Sequence, residues 1–238
     1  DADGSEKRVG LKLRTRGNYR RDREHCDFAP VRLNFRKSEI SDTLLDGQDK
    51  LKLVTHCRSL EKGFEEVVIG EYLAYRLFRE LTDISYAVRL LRITWFDTQT
   101  DKEFTRFGFV IEDDKDLASR TDLNRIEARF LQYDYHDRAR QNLVHVFEYM
   151  IGNTDFSPIK GPPGEPCCHN YILMSNDDTQ ISVPYDFDNT GLADPPYARP
   201  NPRFRLGSVK QRLYRGRCEN NGQLEATVAK FVAHKPQI

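Results

Sequence analysis

The chain has 238 residues, 38% of them hydrophobic, which suffices for one large domain or two small lobes and excludes a disordered polymer. Lys plus Arg and Asp plus Glu both total 37, so the net charge is zero and gives no general case for nucleic acid or membrane. No apolar run approaches the roughly 20 residues needed to cross a bilayer, so no membrane span is expected. The five cysteines lean toward a secreted or extracytoplasmic setting and leave the compartment undecided.

Three early segments alternate with period two and read as half-buried strands. "VGLKLRTR" sets Val9, Leu11 and Leu13 on one face, "PVRLNF" sets Val31, Leu33 and Phe35, and "KLKL" pairs Leu51 with Leu53. Their opposite faces are basic: Lys12, Arg14 and Arg16, then Arg32, then Lys50 and Lys52. "FEEVVIGEYLAYRLFRELT" follows with a helical stripe at Phe64, Val68, Tyr75 and Phe78. Glu71 falls on that stripe, where a charge is costly unless paired. Two more strand-like runs, "YAVRLLRITWFD" and "FTRFGFVIED", lead into the acidic, linker-like "EDDKD". Residues 1–112 therefore read as a five-stranded lobe with one helix inserted after the third strand, and 113–238 as a second, mainly helical lobe.

In the second lobe "RARQNLVHVFEYMIGN" carries Leu143, Val146, Phe147 and Met150 at helical spacing, with Asp137 as N-cap and Gly152 as the C-terminal stop. Asp155 then lies on a loop just past the helix. After the Pro/Gly-rich "SPIKGPPGEP" comes "CCHNYILM", in which Asn170 opens an apolar strand; "SNDD" reads as a turn and "ISVPYDF" as the returning strand, with Asp186 at its end. Residues 176–198 carry five Asp and no Lys or Arg, and residues 199–217 carry seven basic residues and no acid. Adjacent blocks of opposite sign suit a site that holds both a metal and phosphates, and equally suit two surface patches.

A basic-faced sheet, a Glu-bearing helix, a loop Asp, an Asn and a hairpin Asp follow the order of parts in the protein-kinase-like fold. "LRTRGNYRR", "APVRLNFRK", "GNTDF", "HNY" and "PYDFDNTG" resemble the CotH kinase-like family of spore-coat-type atypical kinases, over most of residues 9–217. The resemblance implies an α+β, two-lobed kinase-like fold, ATP with Mg²⁺ or Mn²⁺, and phosphoryl transfer to a Ser or Thr hydroxyl of a protein substrate. It assigns Asp155 as the catalytic Asp and Asn170 and Asp186 as metal ligands; Asp188 either shares the metal or shapes the turn. Lys52, paired with Glu71, is the expected phosphate-binding Lys, with Arg32 its rival. Since no G-x-G-x-x-G occurs, Arg14 and Arg16 of the Arg16-Gly17-Asn18 turn would grip phosphate with side chains. A kinase fold that binds or scaffolds without transfer is the alternative.

Two other classes are open. "HC" at 25–26 and at 56–57 and "CCH" at 167–169 could contribute zinc ligands, or the cysteines could pair, for example Cys26 with Cys57 or Cys168 with Cys218. The basic stretch with Phe204 and Tyr214 could face nucleic acid, but the neutral chain and the adjacent acidic block favour an acidic protein substrate or the chain's own acids.

Overall fold

The computed structural model describes residues 4–17, 19–59, 61, 63–131, 136–176 and 179–237. Asn18 of the basic turn and Asp177 and Asp178 of the hairpin turn lie outside the described residues. The chain is mixed α+β and divides into two compact units, Asp1–Val68 with Val88–Asp113, and Ile69–Ala87 with Asp114–Ile238.

The first unit is a five-stranded antiparallel sheet of β1 (Leu11–Thr15), β2 (Val31–Phe35), β3 (Lys50–Val54), β4 (Val88–Asp97) and β5 (Lys102–Ile111), in the spatial order β1-β2-β3-β5-β4. A short α1 (Lys37–Ile40), which no periodicity announced, turns the chain between β2 and β3. Its Ile40, 1% exposed, packs with Phe35 and Leu51 as a core cluster that Val9, Leu33, Leu45 and Val110 flank. Burying each such side chain contributes about 1.5–3 kcal/mol. The expected half-buried character of β1 is corrected: every residue of it is exposed, Leu13 to 56%. β1 is an edge strand, and among its expected apolar positions only Val9, just before it, reaches the core cluster. The unit is pinned by a disulfide between Cys26 and Cys57, both buried.

α2 (Phe64–Leu81) follows β3 in sequence and contributes 64–68 to the first unit and 69–81 to the second. Phe64, Val68, Tyr75 and Phe78 are all buried, as the helical period requires, and so is Glu71.

The second unit holds α3 (Asp114–Thr121), β6 (Asn124–Ile126), α4 (Arg138–Ile151), β7 (Tyr171–Asn176), β8 (Thr179–Pro184) and α5 (Leu224–Ala233). The acidic segment read as a linker thus opens α3, whose Asp114 and Asp116 favour a helix N-terminus and whose single buried side chain, Leu117, left almost no periodic signal. α4 has the predicted ends: the Asp137 carboxylate accepts from the Arg140 amide, and Gly152 closes the helix at φ 70°. Its buried face differs from the predicted one. Leu143 and Phe147 are buried, Val146 and Met150 only partly, and the other interior positions hold Val144 and Ile151 together with the polar Arg140, Gln141, Asn142, His145 and Glu148. Arg140 offsets its burial by donating to Ser182 O, Thr82 Oγ1 and Ile84 O while lying over the Phe78 ring; even so, burial lowers its pKa to about 10. The predicted hairpin is β7-β8, widened by β6 into a three-stranded sheet. Asn170 precedes β7, and Asp186 stands two residues past β8 at φ 62° rather than at the strand's last position. Among the described residues no helix is long and apolar enough to cross a membrane.

Candidate functional site

The loop after α4 is held from below by the helix itself. Asn153 donates its backbone N–H to Glu148 O at 2.8 Å and its side-chain NH₂ to Glu148 Oε2 at 2.8 Å, and its Oδ1 accepts the Asp155 amide at 2.8 Å. That last bond is an Asx turn, which fixes the backbone entering Asp155. Glu148 accepts a further bond from the Tyr171 hydroxyl at 3.1 Å, yet its burial raises its pKa to about 8, so the carboxyl is largely protonated at neutral pH. The segment 190–192 runs alongside, with Gly191 N donating to Gly152 O and Leu192 N to Ile151 O. A Cβ on Gly191 would lie 2.7 Å from Val209 O, so glycine is what permits this approach.

Asp155 gathers three side chains. His169 Nε2 lies 2.7 Å from its Oδ1, Asn189 Nδ2 donates to its Oδ2 at 3.3 Å, and Asn170 Nδ2 donates to its backbone carbonyl at 2.7 Å. Burial alone would raise the Asp155 pKa, but the hydrogen bonds from His169 and Asn189 and the His169 and Arg215 charges outweigh it and lower it. His169 responds in the opposite sense: the bond to Asp155 raises its pKa against a smaller desolvation effect, helped by the Asp155, Asp186 and Glu165 charges. The pair therefore favours carboxylate with imidazolium.

Asn170, 9% exposed and at φ 56°, accepts the Tyr185 amide on its own carbonyl at 3.1 Å. This bond extends the β7-β8 pairing by one step and brings the residue before Asp186 against Asn170. The Asp186 amide then donates to Tyr75 Oη at 2.9 Å and its side chain is exposed, whereas Phe187 is fully buried and Asp188 Oδ2 accepts from Tyr197 at 2.9 Å. Buried Phe187 thus orients the exposed carboxylate before it and the tyrosine-bonded one after it.

The remaining predicted residues fall elsewhere. Arg14, Arg32 and Lys52 occupy one register across β1, β2 and β3, so three cations stand side by side on one face of the first unit's sheet. Like charges directly opposite each other repel, and such a row is stabilised by an anion. Arg16 follows β1, its amide on Pro30 O and its buried Nε without a partner among the described residues. Lys52 belongs to the first unit and Glu71 to the second.

The cysteines answer part of the zinc alternative. Cys26 is bonded to Cys57 as one pairing anticipated, but Cys168 is bonded to its neighbour Cys167, and Cys218 is free and exposed. The Cys168–Cys218 pairing is therefore corrected, and the thiols a zinc site would draw from these segments are joined to one another. Among the described residues no group of three or more His, Cys, Asp and Glu could hold a metal. Of the basic stretch, Lys210 pairs with Asp194 at 2.6 Å, one of the chain's own acids.

The sequence did not reveal Asn153, His169 and Asn189 as partners of Asp155, nor Glu148 as the support of Asn153. Only His169 carried a usable signal, its place directly before Asn170; the rest depend on which loops meet. Compared with known proteins, the chain matches no family model, no curated protein and no solved structure.

Proposed function

We propose that the chain is a CotH-like atypical kinase with a two-lobed kinase-like fold, which transfers the γ-phosphoryl group of ATP to a Ser or Thr hydroxyl of a protein in the presence of Mg²⁺ or Mn²⁺. The observation that carries this reading is the Asn170 side-chain NH₂ bound to the backbone carbonyl of an ionised Asp155, with exposed Asp186 following the strand that pairs beside Asn170. Because Asn170 Nδ2 is committed to Asp155, its Oδ1 is the atom left to ligate, and Asn170 and Asp186 would supply hard oxygen ligands suited to Mg²⁺ or Mn²⁺. The metal, when bound, would neutralise charge on the phosphate oxygens. Asp188, held by Tyr197, supports the turn.

In the transfer, the acceptor hydroxyl oxygen bonds to the γ-phosphorus as the bond to the β–γ bridging oxygen breaks. ADP leaves with the electron pair, and the hydroxyl proton passes to the Asp155 carboxylate. On the first unit, the aligned Arg14, Arg32 and Lys52 are the residues suited to bind phosphate oxygens. Arg16 is a further phosphate donor, and buried Glu71 is the carboxylate that the resemblance pairs with Lys52. The two disulfides suit an oxidising compartment.

Incubation with labelled ATP and Mn²⁺, beside Asp155→Ala and Asp186→Ala variants, tests this. Wild type is expected to transfer label and each variant to lose it by about 10²–10⁴-fold. Absence of transfer together with absence of any metal-dependent stabilisation by ATP would overturn the kinase reading. One observation favours a second reading, a kinase-fold binding protein: the Asp155 carboxylate is already engaged by two side chains that weaken it as a base. Stabilisation by ATP and Mn²⁺ without transfer selects that reading.

A further inference from the structure

A cleft of about 450 Å³ opens beside Asp155, formed by the Pro/Gly-rich segment 156–162 on one side and the basic stretch from Asn201 to Arg215 on the other. Its charge is one-sided. Lys160, Arg203 and Arg215 line it together with His169, and among its described lining residues Asp155 is the sole acid.

The three cations differ in kind. The Arg215 guanidinium is fixed: it stacks over the Phe156 ring at 4.3 Å and the Phe204 ring at 4.6 Å, and donates to Thr154 O and Phe156 O at 2.8 Å each. It braces the floor beneath Asp155 and lends a permanent positive field. Lys160 and Arg203 are exposed at the rim, and among the described residues neither side chain has a carboxylate partner. Phe204, half-buried, adds an apolar ledge.

We infer that this cleft receives the acceptor as an acidic peptide segment, its Asp or Glu side chains engaged by Lys160 and Arg203 on either side of the Ser or Thr presented to Asp155. The inference rests on the kinase reading for the role of the hydroxyl, but the recognition itself does not. A peptide fits better than a nucleic acid, because the cleft offers one partly exposed ring for stacking and the chain has no net positive charge. Complementary charge of this kind sets partner choice and falls with added salt.

Fluorescence anisotropy on the full chain, without ATP, tests the recognition directly. The probes are a short fluorescein-labelled peptide carrying one Ser among Asp and Glu residues, and matched peptides with Gln or Lys in their place. The acidic probe is expected to bind at least about tenfold more tightly than the Gln probe. Lys160→Glu with Arg203→Glu is expected to abolish that preference, while Arg138→Glu with Arg199→Glu, an equal charge reversal outside the cleft, retains it. Equal binding of acidic and Gln probes, an unchanged preference in the double variant, or displacement of the acidic peptide by a thymidine oligonucleotide at equal charge concentration would overturn the inference. Thermal melts that match wild type establish that the variants fold. Acidic-peptide binding without label transfer from ATP would leave this recognition standing and refute only the kinase reading; transfer without charge preference would do the reverse.

Discussion

Glu148 supports the loop that carries Asp155, and its protonation state can be read as stability. The residue is 1% exposed, and burial raises its pKa from 4.5 to about 8. Between these values the folded chain keeps a proton that the unfolded chain has released, so stability falls as pH rises. Below pH 4.5 both states are protonated and the contribution is flat; above about pH 8 both are ionised and the full penalty is present. At about 1.4 kcal/mol per pH unit, the interval corresponds to a loss of about 5 kcal/mol. Glu148→Gln removes the titration and keeps the shape. Its amide oxygen can still accept from Asn153 or Tyr171, so the variant carries a constant offset rather than a slope. Burial lowers the pKa of His145 to about 4 and also lowers that of His136, and these groups titrate in both proteins and cancel in the difference. Urea unfolding at pH 5, 6.5 and 8 should therefore show wild type losing about 4 kcal/mol relative to Glu148→Gln across that range. A difference constant to within about 0.5 kcal/mol would refute the reasoning, since Glu148 would then hold the same charge throughout.

Asn153→Ala removes both the bond to Glu148 and the Asx turn at Asp155; a loss of about 1–3 kcal/mol in urea unfolding is expected, with label transfer reduced more than stabilisation by ATP. Cys57→Ser opens a disulfide that spans 31 residues, and loop-closure entropy puts the loss at about 3–4 kcal/mol, readable as a lower Tm; an unchanged Tm would remove the disulfide from the account of stability. Gly191→Ala sets a methyl 2.7 Å from Val209 O and should cost about 1–3 kcal/mol or more, because backbone rather than a flexible side chain must yield. For His169, an NMR titration should give a pKa above 6.5 in wild type that falls in Asp155→Asn. Its contribution to stability is full below 6.5 and lost as pH rises through the folded pKa, and an unmoved titration in the variant would deny the pairing.

Much of the first unit was legible because its signals are local. Alternating side chains within five residues define a strand and a face wherever the strand is placed, and the stripe from Phe64 to Phe78 fixes a helix phase that buries Glu71 with it. The ends of α4 were equally local, since Asp137 and Gly152 act on backbone groups within one turn. α3 was not legible: with one buried side chain, Leu117, it has no stripe to display.

The order Asp155, Asn170, Asp186 was present in the sequence, and so was the basic face of β1 to β3. What only the tertiary structure decided is which atoms meet. The bond from Asn170 to the Asp155 carbonyl, the seat of His169 on the Asp155 carboxylate, and the bracing of Asn153 by Glu148 all depend on loops brought together over distances at which sequence period carries no information. The interior of α4 is the clearest case: Arg140, His145 and Glu148 stand outside the apolar stripe of the sequence, yet other segments bury them, Arg140 and Glu148 with hydrogen-bond partners there and His145 as a neutral ring.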